Sequence, residues 1–280
     1  MQKIIFITGT DTGVGKTVLT SLLLSHLRQT GVSAFALKPF CSGGRADAEL
    51  LCSLQKDITL DEVNPYHFAE PLAPLAAARL HHRHIALHQC LNHFRQIRSR
   101  LNNPSIRHST ISSLHNRPST LLIEGAGGLL APLGEPNSQF KVQSSKFKVQ
   151  NSKHYTAFDL IIALRCSVIV VAPNRLGTIN HTLLTVRALQ ASKSREIKAV
   201  LTDIDDHSSS RNTRHESRSL SRVTHHASHA ASRSNPSILA ELLSLIPLFR
   251  IPNLGKNPGK PEQIHKFAKK YKKTLAEILA

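Results

Sequence analysis

No stretch of this chain stays apolar for the roughly 18 residues a helix needs to cross a bilayer. The first apolar run, Ile4-Ile5-Phe6-Ile7, is too short for the core of a secretory signal. Cysteine is scarce: Cys41, Cys52, Cys90 and Cys166 are scattered without the spacing of a zinc site, a redox motif or a disulfide framework. These shortages lead us to expect a cytoplasmic protein with reduced thiols and no membrane partner. Acidic residues are also few, 18 Asp and Glu against 36 Lys and Arg, giving a formal charge of +18. Such an excess ordinarily suggests nucleic acid. Here it is concentrated in residues 79–118, 137–154, 207–235 and 250–273, whose only acids are Glu216 and Glu262. The remainder of the chain is slightly acidic, so nucleic acid is not the expected partner.

Against these absences, strand-like apolar runs recur at Ile4–Thr8, Ser33–Phe40, Thr120–Ile123, Ser167–Ala172 and Ile197–Thr202. Helical patterns lie between and after them, at Val18–Thr30, Ala46–Gln55, Pro74–Leu80, Thr178–Ala191, Ser237–Leu245 and Pro261–Leu279. Continuous β-branched runs suit strands buried on both faces, and the alternating order predicts a doubly wound, mostly parallel α/β sheet with helices on both faces. We expect one domain over residues 1–280, with inserted or disordered segments at 100–118, 137–154 and 205–236. The second of these holds a seven-residue tandem near-copy, Phe140–Lys146 and Phe147–Lys153. The third is rich in Ser, Arg and His and poor in large apolar side chains, too poor to offset chain entropy.

The most informative stretch is Gly9-Thr10-Asp11-Thr12-Gly13-Val14-Gly15-Lys16-Thr17, between the first strand pattern and the first helix pattern. Glycines let the backbone curl so that N–H groups converge on phosphate oxygens. The lysine neutralises their charge, and the threonine hydroxyl can ligate Mg²⁺. Five residues separate Gly9 from Gly15, one more than in the common form. Its position makes it a phosphate-binding loop of the P-loop NTPase type.

Other residues point at the same end of the sheet, where ligands bind in such folds. Lys38 emerges from the second strand pattern into Pro39-Phe40-Cys41-Ser42-Gly43-Gly44, and offers a second cation to phosphate or a developing anion. Ser42 offers a hydroxyl to substrate. Asp47 opens a helix pattern, and Glu124 ends a buried strand before Gly125-Ala126-Gly127-Gly128. Thr17, Asp47 and Glu124 together supply hard oxygen donors suited to Mg²⁺. The N–H groups from Gly177 through Thr178 and Ile179 to Asn180 start a further helix and suit a carboxylate, with Thr178 as its cap. His81, His84 and His88 would share a helical face, but no carboxylate or cysteine accompanies them, and we read this cluster as compositional bias.

With these residues assembled, the chain resembles the dethiobiotin synthetases. The matching pieces are the glycine loop, Leu37-Lys38-Pro39, Ser42-Gly43, Asp47-Ala48, Asn64-Pro65-Tyr66, Phe68-Ala69-Glu70-Pro71, Glu124-Gly125-Ala126-Gly127-Gly128, and Leu176-Gly177 with Ile179-Asn180-His181, in family order. The resemblance implies ATP- and Mg²⁺-dependent ring closure of 7,8-diaminononanoate with CO₂, by a homodimer. It makes Lys38 and Lys16 catalytic. It assigns nucleotide contacts to Gly13, Val14, Gly15, Lys16, Thr17, Val18, Asp47, Glu124, Gly125, Ala126, Gly127, Thr202, Asp203, Pro252, Asn253 and Leu254. Substrate contacts fall to Ser42 and Gly177–Asn180, the latter across the dimer interface. Two departures stand out: Gly13 occupies a position often held by Glu, and Thr202-Asp203 stands where an asparagine would read adenine. A partitioning-type ATPase with nucleic-acid-binding tracts and a decayed synthetase are the alternatives.

Overall fold

The computed structural model describes residues 2–101, 118–136, 153–191, 196–203, 218–255 and 258–280, with the side chains of 218–230 excepted. Strand β1 (Gln2–Gly9) leads into helix α1 (Lys16–Gln29), then β2 (Ser33–Leu37), β3 (Phe40–Ser42), α2 (Ala46–Ser53) and α3 (Leu60–Val63). Next come β4 (Tyr66–Phe68), α4 (Pro74–Leu80), α5 (Leu87–Leu101), β5 (Ser119–Glu124), β6 (Pro132–Gly134) and β7 (Tyr155–Thr156). The order continues with α6 (Ala157–Leu164), β8 (Ser167–Pro173), α7 (Thr178–Ala191), β9 (Ile197–Thr202) and α8 (Arg218–Leu243). It ends with β10 (Leu248–Ile251), α9 (Pro261–Lys270) and α10 (Lys272–Leu279).

Six strands form one parallel sheet in the order β10-β9-β8-β1-β5-β2, with helices on both faces. From β1 the chain crosses over β5 to the edge at β2, returns to β5, and later builds outward on the other side through β8. The topological switch point therefore lies at the carboxyl end of β1, where the glycine loop begins. Ile5, Phe6, Ile7, Leu121, Leu122, Ile123 and Val168–Val171 are buried, as expected of strands covered on both faces.

Helix α1 is buried on more than one side, from Leu19 through Leu27. One side meets the sheet and another is covered by α9, where Ser25 Oγ lies 2.8 Å from His265 Nδ1. Lys3 Nζ donates to the carbonyl of Leu279 at 2.6 Å and Lys198 Nζ to that of Ile278 at 3.1 Å. Two cations from β1 and β9 thus meet the negative end of α10. At the edge strand, the buried Gln55 side chain accepts from Ala36 N–H at 2.9 Å and donates to Ala36 C=O at 2.7 Å, in place of a neighbouring strand.

The strand expected over Ser33–Phe40 is broken at Lys38-Pro39. Proline has no N–H to give the ladder. The chain leaves the main sheet there, and β3 pairs instead with β4 in a two-stranded parallel sheet. Of the segment 205–236, expected to be inserted or disordered, residues 218–236 lie in α8. That tract runs into an anchored end: Leu239 and Leu243 are buried, and Asn235 Nδ2 donates to Arg175 C=O at 3.0 Å. Residues 102–117, 137–152 and 204–217, which carry the rest of the three expected insertions, lie outside the described residues. His81, His84 and His88 do not share a helix, because α4 stops at Leu80 and His82 turns the chain at φ 50°. Helix α5 went unpredicted, although Leu87, Cys90, Leu91, Phe94, Ile97 and Leu101 bury one face at helical spacing. The single helix expected over Pro261–Leu279 is two, divided at Tyr271.

Candidate active site

Residues 10–15 join the tip of β1 to α1, and Gly15 takes φ 90° just before Lys16. A side chain at Gly15 would be strained by that backbone and would also press on Thr202 Cγ2 at 3.2 Å. Lys16 is buried and its Nζ donates to the loop's own Asp11 carbonyl at 2.7 Å. Burial, reinforced by the charge of Lys38, pushes its pKa down to about 8 against the opposing carboxylates of Glu124, Asp11 and Asp47.

Register explains why Lys38 meets Glu124. β2 runs parallel to β5 with Leu37 opposite Ile123, so the next residue of each chain stands at the sheet's carboxyl edge side by side. Lys38 Nζ lies 2.5 Å from Glu124 Oε1 and 3.2 Å from Asp47 Oδ2. Thr17 Oγ1 donates to the same Glu124 Oε1 at 2.7 Å. Burial opposes the Lys38 charge, yet the neighbouring Glu124 and Asp47 carboxylates outweigh it and hold the ammonium above the usual lysine range.

Glu124 is fully buried, and its Oε2 has no hydrogen-bond partner among the described residues. An orphaned carboxylate oxygen beside a threonine hydroxyl and a second carboxylate is a donor set suited to Mg²⁺, so Thr17, Asp47 and Glu124 fit the ion implied for this site.

A cavity of about 650 Å³ is lined by the loop (Asp11, Gly13, Gly15, Lys16, Thr17), by Lys38, Ser42, Asp47 and Glu124, and by Ala126 and Gly127. A smaller one of about 210 Å³ is lined by Thr202, Asp203, Pro252, Asn253 and Leu254. The two meet at Gly15 and Val18, where loop becomes helix. A triphosphate cradle on one side of that junction and a compact, largely apolar cleft on the other are the parts of a nucleotide site.

A family model described as an AAA domain matches residues 3–145 and 142–242. The ATP-dependent dethiobiotin synthetase BioD of Bacillus licheniformis is 35% identical over 209 residues, covering 72% of this chain and 74% of that one. Its counterpart from an Anaeromyxobacter species (strain Fw109-5) is 38% identical over 192 residues, 67% of this chain and 70% of that one. The chain belongs to the dethiobiotin synthetase family. Among solved structures, the MinD cell division protein of Aquifex aeolicus aligns over 97% of each chain with a TM-score of 0.46 and 14% identity.

In this dethiobiotin synthetase family chain, the residues predicted for phosphate and metal come together, as do those predicted around the smaller cavity. Gly177–Asn180 do not join them: the start of α7 lines neither cavity. Thr178 is the first residue of that helix and not its cap, and its buried Oγ1 has no partner among the described residues. Thr202 lines the smaller cavity, and its Oγ1 donates to Val14 C=O at 2.7 Å, which braces the phosphate loop. Sequence reasoning placed Cys41 near the site but missed the Pro71-Leu72-Ala73-Pro74 wall; all of these line the larger cavity. Burial pushes the Cys41 thiol up to about 11, against the pull of Lys38. The only signal for the wall was that Pro71 closes one of the motifs shared with the synthetases.

Proposed function

We propose that the protein is an ATP-dependent dethiobiotin synthetase, closing the ureido ring of dethiobiotin from 7,8-diaminononanoate and CO₂. The observation that carries this reading is the meeting of Lys38 with Lys16, Thr17, Asp47 and Glu124 around one cavity. A simple nucleotide hydrolase has no need of a second buried lysine facing its phosphate loop.

In the reaction, one substrate amine adds to CO₂ and loses a proton to give a carbamate. A carbamate oxygen then attacks the γ-phosphorus and ADP leaves, forming a carbamic–phosphoric anhydride. The second amine attacks its carbonyl carbon and loses a proton, and inorganic phosphate departs as the ring closes. Negative charge builds on carbamate and phosphoryl oxygens throughout, so charge stabilisation outweighs base catalysis. Lys16 serves the β- and γ-phosphates, Lys38 the carbamate and the transferring phosphoryl, and Ser42 orients the diamine. Thr17, Asp47 and Glu124 would hold Mg²⁺, which when bound offsets phosphate charge. The base lies in the smaller cavity, between Thr202-Asp203 and Pro252-Asn253-Leu254.

We further assign the start of α7 to the substrate carboxylate of a second protomer. The buried Thr178 hydroxyl, without a partner among the described residues, supports this, as does the exposure of Leu176 and Leu184 on either side of the helix start. A homodimer would cover those leucines and complete the site. The four free cysteines suit a reducing cytoplasm.

The test is ADP release by purified protein with ATP and Mg²⁺. It should require both the diamine and bicarbonate. Release that ignores the diamine, or salt-sensitive DNA binding without diamine-dependent turnover, would refute the assignment.

A further inference from the structure

Two shared motifs, Asn64-Pro65-Tyr66 and Phe68-Ala69-Glu70-Pro71, supply no group that the proposed reaction uses. Their position beneath Lys38 gives the first of them a purpose. The chain leaves the main sheet at Lys38-Pro39, so two carbonyls in the interior lose their strand partners, and Pro39 cannot donate to a new ladder. The fully buried Asn64 side chain meets this need: its Nδ2 donates to Lys38 C=O at 2.8 Å and Pro39 C=O at 3.3 Å. Neighbouring main-chain bonds complete the clamp, from Lys38 N–H to Val63 C=O at 3.0 Å and from Tyr66 N–H to Pro39 C=O at 3.0 Å.

The other end of the amide is held as firmly. Asn64 Oδ1 accepts from Arg45 Nε at 3.1 Å, and Arg45 Nη2 donates to the Asn64 carbonyl at 3.0 Å. Arg45 is the residue that opens α2, whose first turn carries Asp47. One amide therefore joins the main chain beneath Lys38 to the helix start that presents the lysine's second carboxylate partner.

We infer that Asn64 is a positioning residue for Lys38, acting through the Lys38-Pro39 backbone and through Arg45; this rests on the catalytic role proposed above for the lysine. The phosphate loop is carried by other elements, β1 and α1, so the effect should separate from nucleotide binding. A misplacement of about 1 Å at a reacting group costs on the order of 100-fold in rate.

Asn64→Asp keeps the side-chain volume and the acceptor for Arg45 but removes both donors, while Asn64→Ser shortens the reach. Each should lower kcat by roughly 10- to 100-fold, with KM for ATP and calorimetric affinity for ADP within about twofold of the parent. Arg45→Met, on a less buried side chain, should give a smaller loss with the same split. Retained kcat in folded Asn64→Ser would overturn the inference, as would a loss of ADP affinity equal to the loss of kcat. An activity-independent arm uses urea unfolding of Asn64→Ser, Lys38→Met and the double variant. Positioning predicts that Asn64→Ser lowers the midpoint less when Lys38 is already absent, and strict additivity would count against it. Absence of diamine-dependent turnover in the parent protein overturns the proposed reaction, leaving that cycle to decide whether Asn64 sets Lys38.

Discussion

Lys38 Nζ and Glu124 Oε1 stand 2.5 Å apart at adjacent strand tips, with Lys38 only 6% exposed and Glu124 at 0%. The carboxylate is buried where it lies. Without bound metal, its charge is balanced by the ammonium and by the Thr17 hydroxyl, and the same ammonium is drawn to Asp47. The cation that the reaction needs for carbamate is also the cation that makes the buried carboxylate tolerable.

Removing that ammonium should therefore cost stability as well as rate. Lys38→Met leaves Glu124 buried and unpaired, a loss of roughly 3–5 kcal/mol for a broken buried pair. Thermal melts without divalent metal should show Tm lowered by on the order of 10 °C. Added Mg²⁺ should recover part of that loss, since a cation again faces the carboxylate. Turnover should fall much more than nucleotide affinity. A metal-independent Tm deficit would contradict the arrangement.

Nucleotide affinity should depend on pH through Lys16. Its pKa is about 8 in the empty site, below the ordinary 10.5. Phosphate favours the ammonium, so binding above pH 8 must take up a proton, and affinity for ADP should fall by up to about tenfold per pH unit beyond that point. Calorimetry in two buffers of different ionisation enthalpy reads the uptake directly. For folding the sign is opposite to that of a paired lysine. The depressed pKa is a cost fully present below about pH 8 and relieved as pH rises toward 10.5. Constant ADP affinity from pH 7 to 9.5 would show that Lys16 does not titrate there.

Thr202→Val keeps the shape of the side chain and removes the hydroxyl that holds Val14. The loss of one hydrogen bond, about 1 kcal/mol, should raise KM for ATP several-fold with kcat little changed. Steady-state kinetics with saturating diamine test this. An unchanged KM would mean that the brace on the phosphate loop contributes nothing to binding.

Gln55→Leu deprives Ala36 of both side-chain partners in the interior. Leaving a buried N–H and C=O unmet should destabilise the protein by roughly 2–4 kcal/mol, measured as a lower urea midpoint with an unchanged slope. A loss below about 0.5 kcal/mol would show that the edge of β2 needs no such substitute.

The sequence by itself determined the doubly wound class, the phosphate loop and the family, because each is written locally. Continuous apolar runs mark strands buried on both faces, and glycines beside Lys16 and Thr17 mark a curled anion site whatever surrounds them. It also marked Lys38 as a residue that folding alone explains poorly, and Asp47 and Glu124 as candidate metal ligands. Only the tertiary structure decided that Lys38 and Glu124 touch, since that depends on the register of β2 against β5 between residues far apart in the chain. Likewise, Asn64 and Gln55 look like ordinary polar residues in sequence. Their importance comes from backbone groups that the chain leaves unpaired at Lys38-Pro39 and at the sheet edge, a need that exists only once the strands are in place. The helical character of 218–236 was hidden for the same reason: its anchoring comes through Asn235, Leu239 and Leu243, whose partners lie on other elements.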